Sequence, residues 1–253
     1  MSIKVARRIS AHQLTNDPTK LWQKLKGKQK QKVLSAIEPT SQQQEDHIRF
    51  VCISDTHNLT DNLILPDGDI LLHAGDFTNI GTSKNVEHFN EFLARVKGQF
   101  KHVVVIPGNH ELSFGPENPM RSAILNSAED QSNVDQEKYK KDLRQNCIFL
   151  EDESVDLLGF KIYGSPWQPE FGGWAYNLKR GEECLEKWNA IPSDTDVLIT
   201  HGPPLGYGDL CKSGVRAGCA ELLSTIQLRV KPKLHVFGHI HEGKYQFCYS
   251  RSE

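Results

Sequence analysis

Residues 69–77 read DILLHAGDF. Asp69 to Ala74 has the character of a strand, and it runs straight into Gly75 and Asp76. A buried strand that stops at Gly-Asp presents one carboxylate at the end of a sheet. Taken alone, Asp76 could equally cap its own turn, because Asp commonly bonds backbone amides in loops. What lies on either side decides between the two.

Upstream, Ile48–Ile53 (IRFVCI) is a near-continuous apolar run, the pattern of a central strand buried on both faces. A loop at Ser54–Asn58 follows, and Pro66-Asp67-Gly68 marks the turn into Asp69. Downstream, Ser83 to Lys97 spaces Val86, Phe89, Phe92, Leu93 and Val96 as a helix does, with Ser83 as its cap. Lys101–Ile106 (KHVVVI) is a third strand, ended by Pro107-Gly108. Residues 115–136 are polar and irregular, a surface insertion. Beyond them come a helix at Glu137–Asn146 and three short strands at Cys147–Leu150, Ser154–Leu158 and Phe160–Tyr163, whose compact spacing suggests an antiparallel patch. The loop Gly164–Gly173 (GSPWQPEFGG) leads to a helix at Lys179–Ala190, a strand at Thr195–Thr200, a helix at 219–230 and a strand at Leu234–Phe237. This mixture indicates an α/β fold with helices covering the sheets.

The 253 residues, 38% hydrophobic and 25% charged, describe an ordinary globular chain large enough for a real core. No apolar run is long enough to span a bilayer, and no secretory segment opens the chain. Six cysteines without CxxC spacing point to reduced thiols and a cytoplasmic protein, not to a disulfide framework or a zinc finger. The net charge of −2 hides an asymmetry: residues 1–46 carry nine Lys and Arg against four acids, which leaves −7 for the remainder. Residues 1–46 therefore read as a basic extension, with a helix at Pro18–Ile37 capped by Asp17 and a linker at Ser41–Asp46 (SQQQED), and 47–253 as the globular domain. The basic run Lys24–Lys32 reads as a solvated face. An acidic body without a basic groove argues against nucleic-acid partners, and no specific protein partner is inferable.

Five strand ends carry polar residues that are costly to bury without purpose: Asp55 and His57 (SDTHN), Asp76 (AGDF), Asn109 and His110 (GNHE), His201 (THGPP), and His239 and His241 (GHIH). Each follows an apolar run, so strand ends about 5 Å apart would bring them together. Mixed Asp, Asn and His ligands without Cys suit Mn, Fe or Zn better than Ca or a structural zinc. His73, His102 and His235 lie inside strands and read as bracing residues, not ligands. Trp167, Phe171 and Trp174 read equally as a cleft lining or as packing of a long loop, and Lys212 and Arg216 as a solvated face ahead of a contact to phosphate. Glu111 reads as a buttress to His110 or as a surface acid.

The blocks D-x-H, G-D, G-N-H-E, H-G and G-H-x-H, in this order from Asp55 to His241, resemble the calcineurin-like metallophosphoesterase superfamily. FVCISDTHN, GDILLHAGDFT, GNHEL, YGSPW, THGPPLG and PKLHVFGHIHEG resemble its metallophosphoesterase domain-containing branch, over about residues 48–243. The resemblance implies a four-layer α/β/β/α sandwich of two mixed β-sheets with flanking helices. It implies two divalent metals, manganese first, with Fe, Zn or Mg as alternatives. Asp55, His57 and His241 would hold one metal with Asp76; Asn109, His201 and His239 would hold the other, with Asp76 bridging. His110, with Asn109 beside the substrate, would be the catalytic acid. The implied reaction is hydrolysis of small phosphodiesters or cyclic nucleotides by a metal-bridging hydroxide. Phosphomonoesterase, protein phosphatase and metal-binding scaffold are the alternatives. Members of the family continue past the last block with further strands. Glu253 lies twelve residues after His241, and Lys244–Tyr249 supplies one strand, so a sheet left incomplete and a less stable protein are expected.

Overall fold

The computed structural model describes residues 9–29, 42–44, 46–117, 122–123 and 135–243. The expected strand at Lys244–Tyr249, the distal half of the Pro18–Ile37 helix and most of the 115–136 insertion lie outside the described residues.

Among the described residues, two four-stranded sheets pack face to face. The first runs β1 (Phe50–Ile53), β2 (Ile70–Ala74), β3 (His102–Ile106) and β4 (Ile148–Phe149), in that order and all parallel. The second has the order β10 (Leu234–Val236), β9 (Val197–Thr200), β6 (Phe160–Ser165) and β5 (Glu153–Leu157); only the β5–β6 pair is antiparallel. Short strands β7 (Gln168–Pro169) and β8 (Asn177–Leu178) pair beside them.

Side-chain alternation explains the layers. Ile70, Leu72 and Ala74 of β2, with Val104 and Ile106 of β3, meet Leu157, Ile162, Val197 and Ile199 of the second sheet in one buried cluster. The intervening residues Leu71, Val103 and Val105 point the other way, onto α2 (Ser83–Val96) and α3 (Gln136–Leu143) through Phe89, Phe92, Leu93, Tyr139 and Leu143. Tyr163 and Leu198 likewise face α4 (Glu182–Asn189) and α5 (Ala220–Thr225) through Cys184, Trp188 and Leu222. The result is the α/β/β/α sandwich. A strand covered on both faces shows no polar alternation, which is why all five residues of β2 are buried.

Three details differ from the sequence reading. Among the described residues, the apolar run at 48–53 has a strand partner on one side, β2, and Cys52 is exposed. The three short strands after α3 are not one antiparallel patch, because β4 extends the parallel first sheet while β5 and β6 form a hairpin in the second. The cap of α2 is Thr82, whose hydroxyl accepts from Asn85 N at 3.3 Å, and not Ser83.

The N-terminal segment is docked. Asp17 caps α1 (Pro18–Leu25) by accepting from Lys20 N at 2.9 Å. Leu21 and Trp22 then bury against Leu205, Ala220 and Leu223. Trp22 sits where a side chain on Gly206 would be, since a Cβ there would come within 2.0 Å of its ring. Arg216 is not solvated: its guanidinium pairs with Asp209 and lies 4.9 Å from the Trp22 ring centroid.

Candidate metal centre

The C-terminal ends of β1, β2 and β3 in one sheet and of β9 and β10 in the other converge. The loop after β1 continues along the loop after β2, with Asp55 N donating to Gly75 O, His57 N to Asp76 O and Asn58 N to Phe77 O at 2.9, 3.0 and 3.0 Å. Within the second sheet Gly238 N donates to His201 O at 2.9 Å, and across the sheets His239 N donates to the Asp55 carboxylate at 3.0 and 3.1 Å. The donors thus come from two sheets, not from one sheet edge.

Backbone conformation marks the same place. Asp55, His57, Asp76 and His239 have φ of 53, 44, 55 and 72°, in the left-handed region that non-glycine residues seldom occupy. Each such residue costs on the order of 1–3 kcal/mol and persists where its surroundings dictate it. The turn after β3 is equally constrained: a Cβ on Gly108 would lie 2.4 Å from Asp76 Oδ1.

Asp76 is buried at the centre. Its Oδ1 accepts from His110 N at 2.8 Å. Its Oδ2 lies 3.3 Å from His201 Nε2 and 3.9 Å from both His57 Nε2 and His110 Nε2. On one side, His57 Nε2 faces His241 Nε2 at 3.3 Å, and His241 Nε2 is 3.4 Å from Asp55 Oδ1. On the other, Asn109 Oδ1 is 2.9 Å from His201 Nε2 and 2.7 Å from His239 Nδ1. Ligand-type atoms of Asp55, His57, Asp76 and His241 all lie within 4.8 Å of one another, as do those of Asp76, His201 and His239. Asp76 belongs to both groups.

The tautomers follow from the outer nitrogens. A carbonyl can only accept, so His57 Nδ1 donates to Thr78 O (3.2 Å), His201 Nδ1 to Ala74 O (2.8 Å) and His110 Nδ1 to Asn79 O (2.6 Å). The Nε2 of these three rings is thereby turned inward, whereas His239 faces the cluster through Nδ1. This is the arrangement that orients metal-binding imidazoles. His201 Nε2 faces two oxygens, a geometry that needs a positive charge between them. The electrostatics agree: burial opposes protonation of His201, but the Asp76 carboxylate beside it and Asp55 push it up to about 9. Burial would likewise raise Asp76, yet His201 and His110 hold it well below the usual carboxylate range. Converging oxygen and nitrogen donors of this kind suit a divalent metal ion.

Glu111 is placed differently from either sequence reading. It is fully buried and does not bond the His110 ring. Its Oε1 accepts from Thr78 N and Thr78 Oγ1, both at 2.8 Å, and its Oε2 from Asp76 N at 2.9 Å and Gly108 N at 2.6 Å. One carboxylate therefore ties the loops after β2 and β3 together. Burial and the negative charge of Asp76 push it up to about 8, against those four donors. His73 and His235 also brace the site: each bonds a threonine hydroxyl, Thr56 at 2.9 Å and Thr200 at 2.8 Å, next to His57 and His201 respectively. Burial lowers both to about 3. Sequence reasoning had no signal for these pairings beyond the position of the two histidines inside strands.

The three loop aromatics separate. Trp167 is packing, with Nε1 donating to Asp152 Oδ2 at 2.8 Å. Trp174 stacks on His110, with ring centroids 4.2 Å apart, and Phe171 stays 60% exposed beside His239.

Residues 48–243 match the sequence model of the Calcineurin-like phosphoesterase family. The chain belongs to that family. It is 45% identical over 253 residues to UPF0046 protein T07D4.2 of Caenorhabditis elegans, covering 95% of this chain and 63% of that protein. It is 52% identical over 203 residues to Metallophosphoesterase domain-containing protein 1 of both Homo sapiens and Mus musculus, covering 78% of this chain and 61% of each of them. The chain thus spans about three fifths of the length of these relatives. Among the described residues, no helix is long and apolar enough to cross a membrane.

Proposed function

We propose that this chain is a metal-dependent phosphoesterase that hydrolyses small phosphodiesters, cyclic nucleotides among them, at a dinuclear centre for which manganese is the first candidate. The observation that carries the reading is the Asp76 carboxylate common to two clusters of inward-facing donors. Asp55, His57 and His241 would hold one ion with Asp76, and Asn109, His201 and His239 the other. When bound, such a pair supplies Lewis-acid chemistry, polarising phosphoryl oxygens and acidifying water.

The remaining work falls to the chain itself. Glu111 fixes Asp76 through its backbone N–H, and the amide of Asn109 adds a donor without adding charge. Asn79 O accepts from His110 Nδ1 and leaves Nε2 facing the cluster. In the imidazolium form, which carries a second proton on Nε2, that atom delivers the proton to the leaving oxygen or donates to a phosphoryl oxygen as negative charge builds. Trp174 covers one face of that ring and limits its rotation.

The test is hydrolysis of bis(p-nitrophenyl) phosphate and p-nitrophenyl phosphate by manganese-loaded wild type and His201→Ala. The diester should be the better substrate. The substitution should cost more than the roughly 10–100-fold typical of losing a mere supporting partner. A preference for the monoester would remove the diesterase assignment, and undiminished activity in His201→Ala would remove the centre.

A further inference from the structure

The segment Phe171-Gly172-Gly173-Trp174 is a tight turn, with Trp174 N donating to Phe171 O at 3.3 Å. Gly172 and Gly173 have φ of 58 and 71°, the pair of positive values that a type I′ turn requires. Its two flanking rings reach two members of the centre. Trp174 stacks on His110 at an interplanar angle of 25°. Phe171 meets His239 edge-on, centroids 5.8 Å apart at 85°.

The two rings differ in what else they touch. Trp174 packs against the core cluster behind it. Phe171 does not, and its exposure is 60%. A lone exposed aromatic needs no explanation; this one has a fixed backbone. Asn177 Oδ1 accepts from Phe171 N at 3.2 Å while Asn177 Nδ2 donates to Phe171 O at 3.1 Å. Gln168 Nε2 donates to the same Asn177 oxygen at 3.1 Å, and Ala175 N donates to Asn109 O at 3.1 Å. The turn is thus anchored both to its own stem and to a candidate ligand residue. A ring carried on a fixed backbone and open to solvent beside a reactive cluster is a contact whose backbone is already ordered, so only side-chain freedom is lost when something stacks on it.

We propose that Phe171 is a specificity-determining residue: it receives a planar aromatic group carried by the phosphoester, so that aryl and heteroaryl esters are favoured over alkyl ones. The proposal rests on the phosphoesterase reading above. An ester whose phosphoryl group lies between the two clusters has His239 at its edge, and the next ring outward is Phe171.

The probes are phenylphosphonate and methylphosphonate, neither of which can be hydrolysed. Their binding to manganese-loaded wild type, Phe171→Ala and Phe171→Trp is measured by calorimetry. Wild type should bind the phenyl compound about three- to tenfold tighter than the methyl one, the usual gain of an aromatic pair. Phe171→Ala should lose that preference and Phe171→Trp should keep it. With bis(p-nitrophenyl) phosphate, Phe171→Ala should raise KM and leave kcat unchanged. Equal binding of both phosphonates by wild type, or a preference that survives in Phe171→Ala, overturns the proposal alone. If neither phosphonate binds wild type, the phosphoesterase reading falls, and the proposal falls with it.

Discussion

Two carboxylates stand at the two ends of β2, Asp69 just before it and Asp76 just after it. Both are buried and both are held below the usual carboxylate range. Asp69 reaches about 2 because Lys101 Nζ pairs with its Oδ1 at 2.8 Å, while Arg49 N and Gln43 Nε2 donate to its Oδ2 at 2.8 and 2.6 Å. Those partners include a cation and fixed N–H donors, so the group is satisfied by the protein alone. Asp76 is depressed against the effect of its own burial, chiefly through His201. Its neighbours are imidazole nitrogens turned inward by carbonyls behind them. A low pKa therefore does not mark a functional carboxylate; the nature of the partners does. Lys101 and two N–H groups make a joint between strands, whereas converging lone pairs make a place for cations.

This contrast can be broken in four ways, taken from the largest expected effect to the smallest. Stripping the protein with a chelator should abolish phosphoesterase activity and leave the circular dichroism spectrum of the sheets in place, because the Asp69 end needs no ion. Restored manganese should restore the activity; a chelated protein that stays active contradicts the account. His110→Ala should lower kcat by about 10²–10⁴-fold, the range for a lost proton-transfer group. Metal content by elemental analysis should not change, since His110 stands outside both donor groups.

Glu111→Gln should weaken metal binding about 10–100-fold, as loss of an orienting partner does. It should also lower stability by about 1–3 kcal/mol in urea titrations, because an amide NH₂ would then face backbone donors. Loss of stability with unchanged metal affinity would reduce Glu111 to a packing residue. Asp69→Asn should leave activity per folded molecule unchanged and cost about 1–2 kcal/mol, the value of a charge-assisted bond trimmed by the exposure of Lys101. The sign in pH follows from the lowered pKa. Asp69's contribution is fully present above its ordinary value of 3.8 and is lost as pH falls through about 2. The melting difference between wild type and Asp69→Asn should therefore be clear at pH 6 and fade toward pH 2.

Much of the candidate site was legible in the sequence because its residues lie at the ends of apolar runs, where strand period and glycine fix their place. Their position after apolar runs brought Asp55, His57, Asp76, Asn109, His110, His201, His239 and His241 forward, and the family resemblance supplied the roles expected of them. The bracing around them was not legible. Whether Glu111 faces solvent, His110 or the backbone of Thr78 depends on how two loops cross, and no local pattern encodes that. Phe171 and Trp167 share one loop and one kind of residue, yet one is open and the other is pinned by Asp152. For the fold, the apolar pattern indicated an α/β arrangement with helices over the sheets, and the four layers came from the family resemblance; the exposure of Cys52 was hidden because it lies inside the apolar run IRFVCI. The charge of residues 1–46 set them apart from the body, while Trp22 fits against Gly206 in a way only the tertiary structure reveals.

The central claim is that one carboxylate serves two ions. Its most direct test is the stoichiometry of manganese bound to Asp76→Asn and Asp55→Asn, measured by calorimetry or elemental analysis on folded protein. The account expects two ions in wild type, loss of both together in Asp76→Asn, and weakening of one in Asp55→Asn. An Asp76→Asn protein that loses a single ion and keeps the other at wild-type affinity would contradict it.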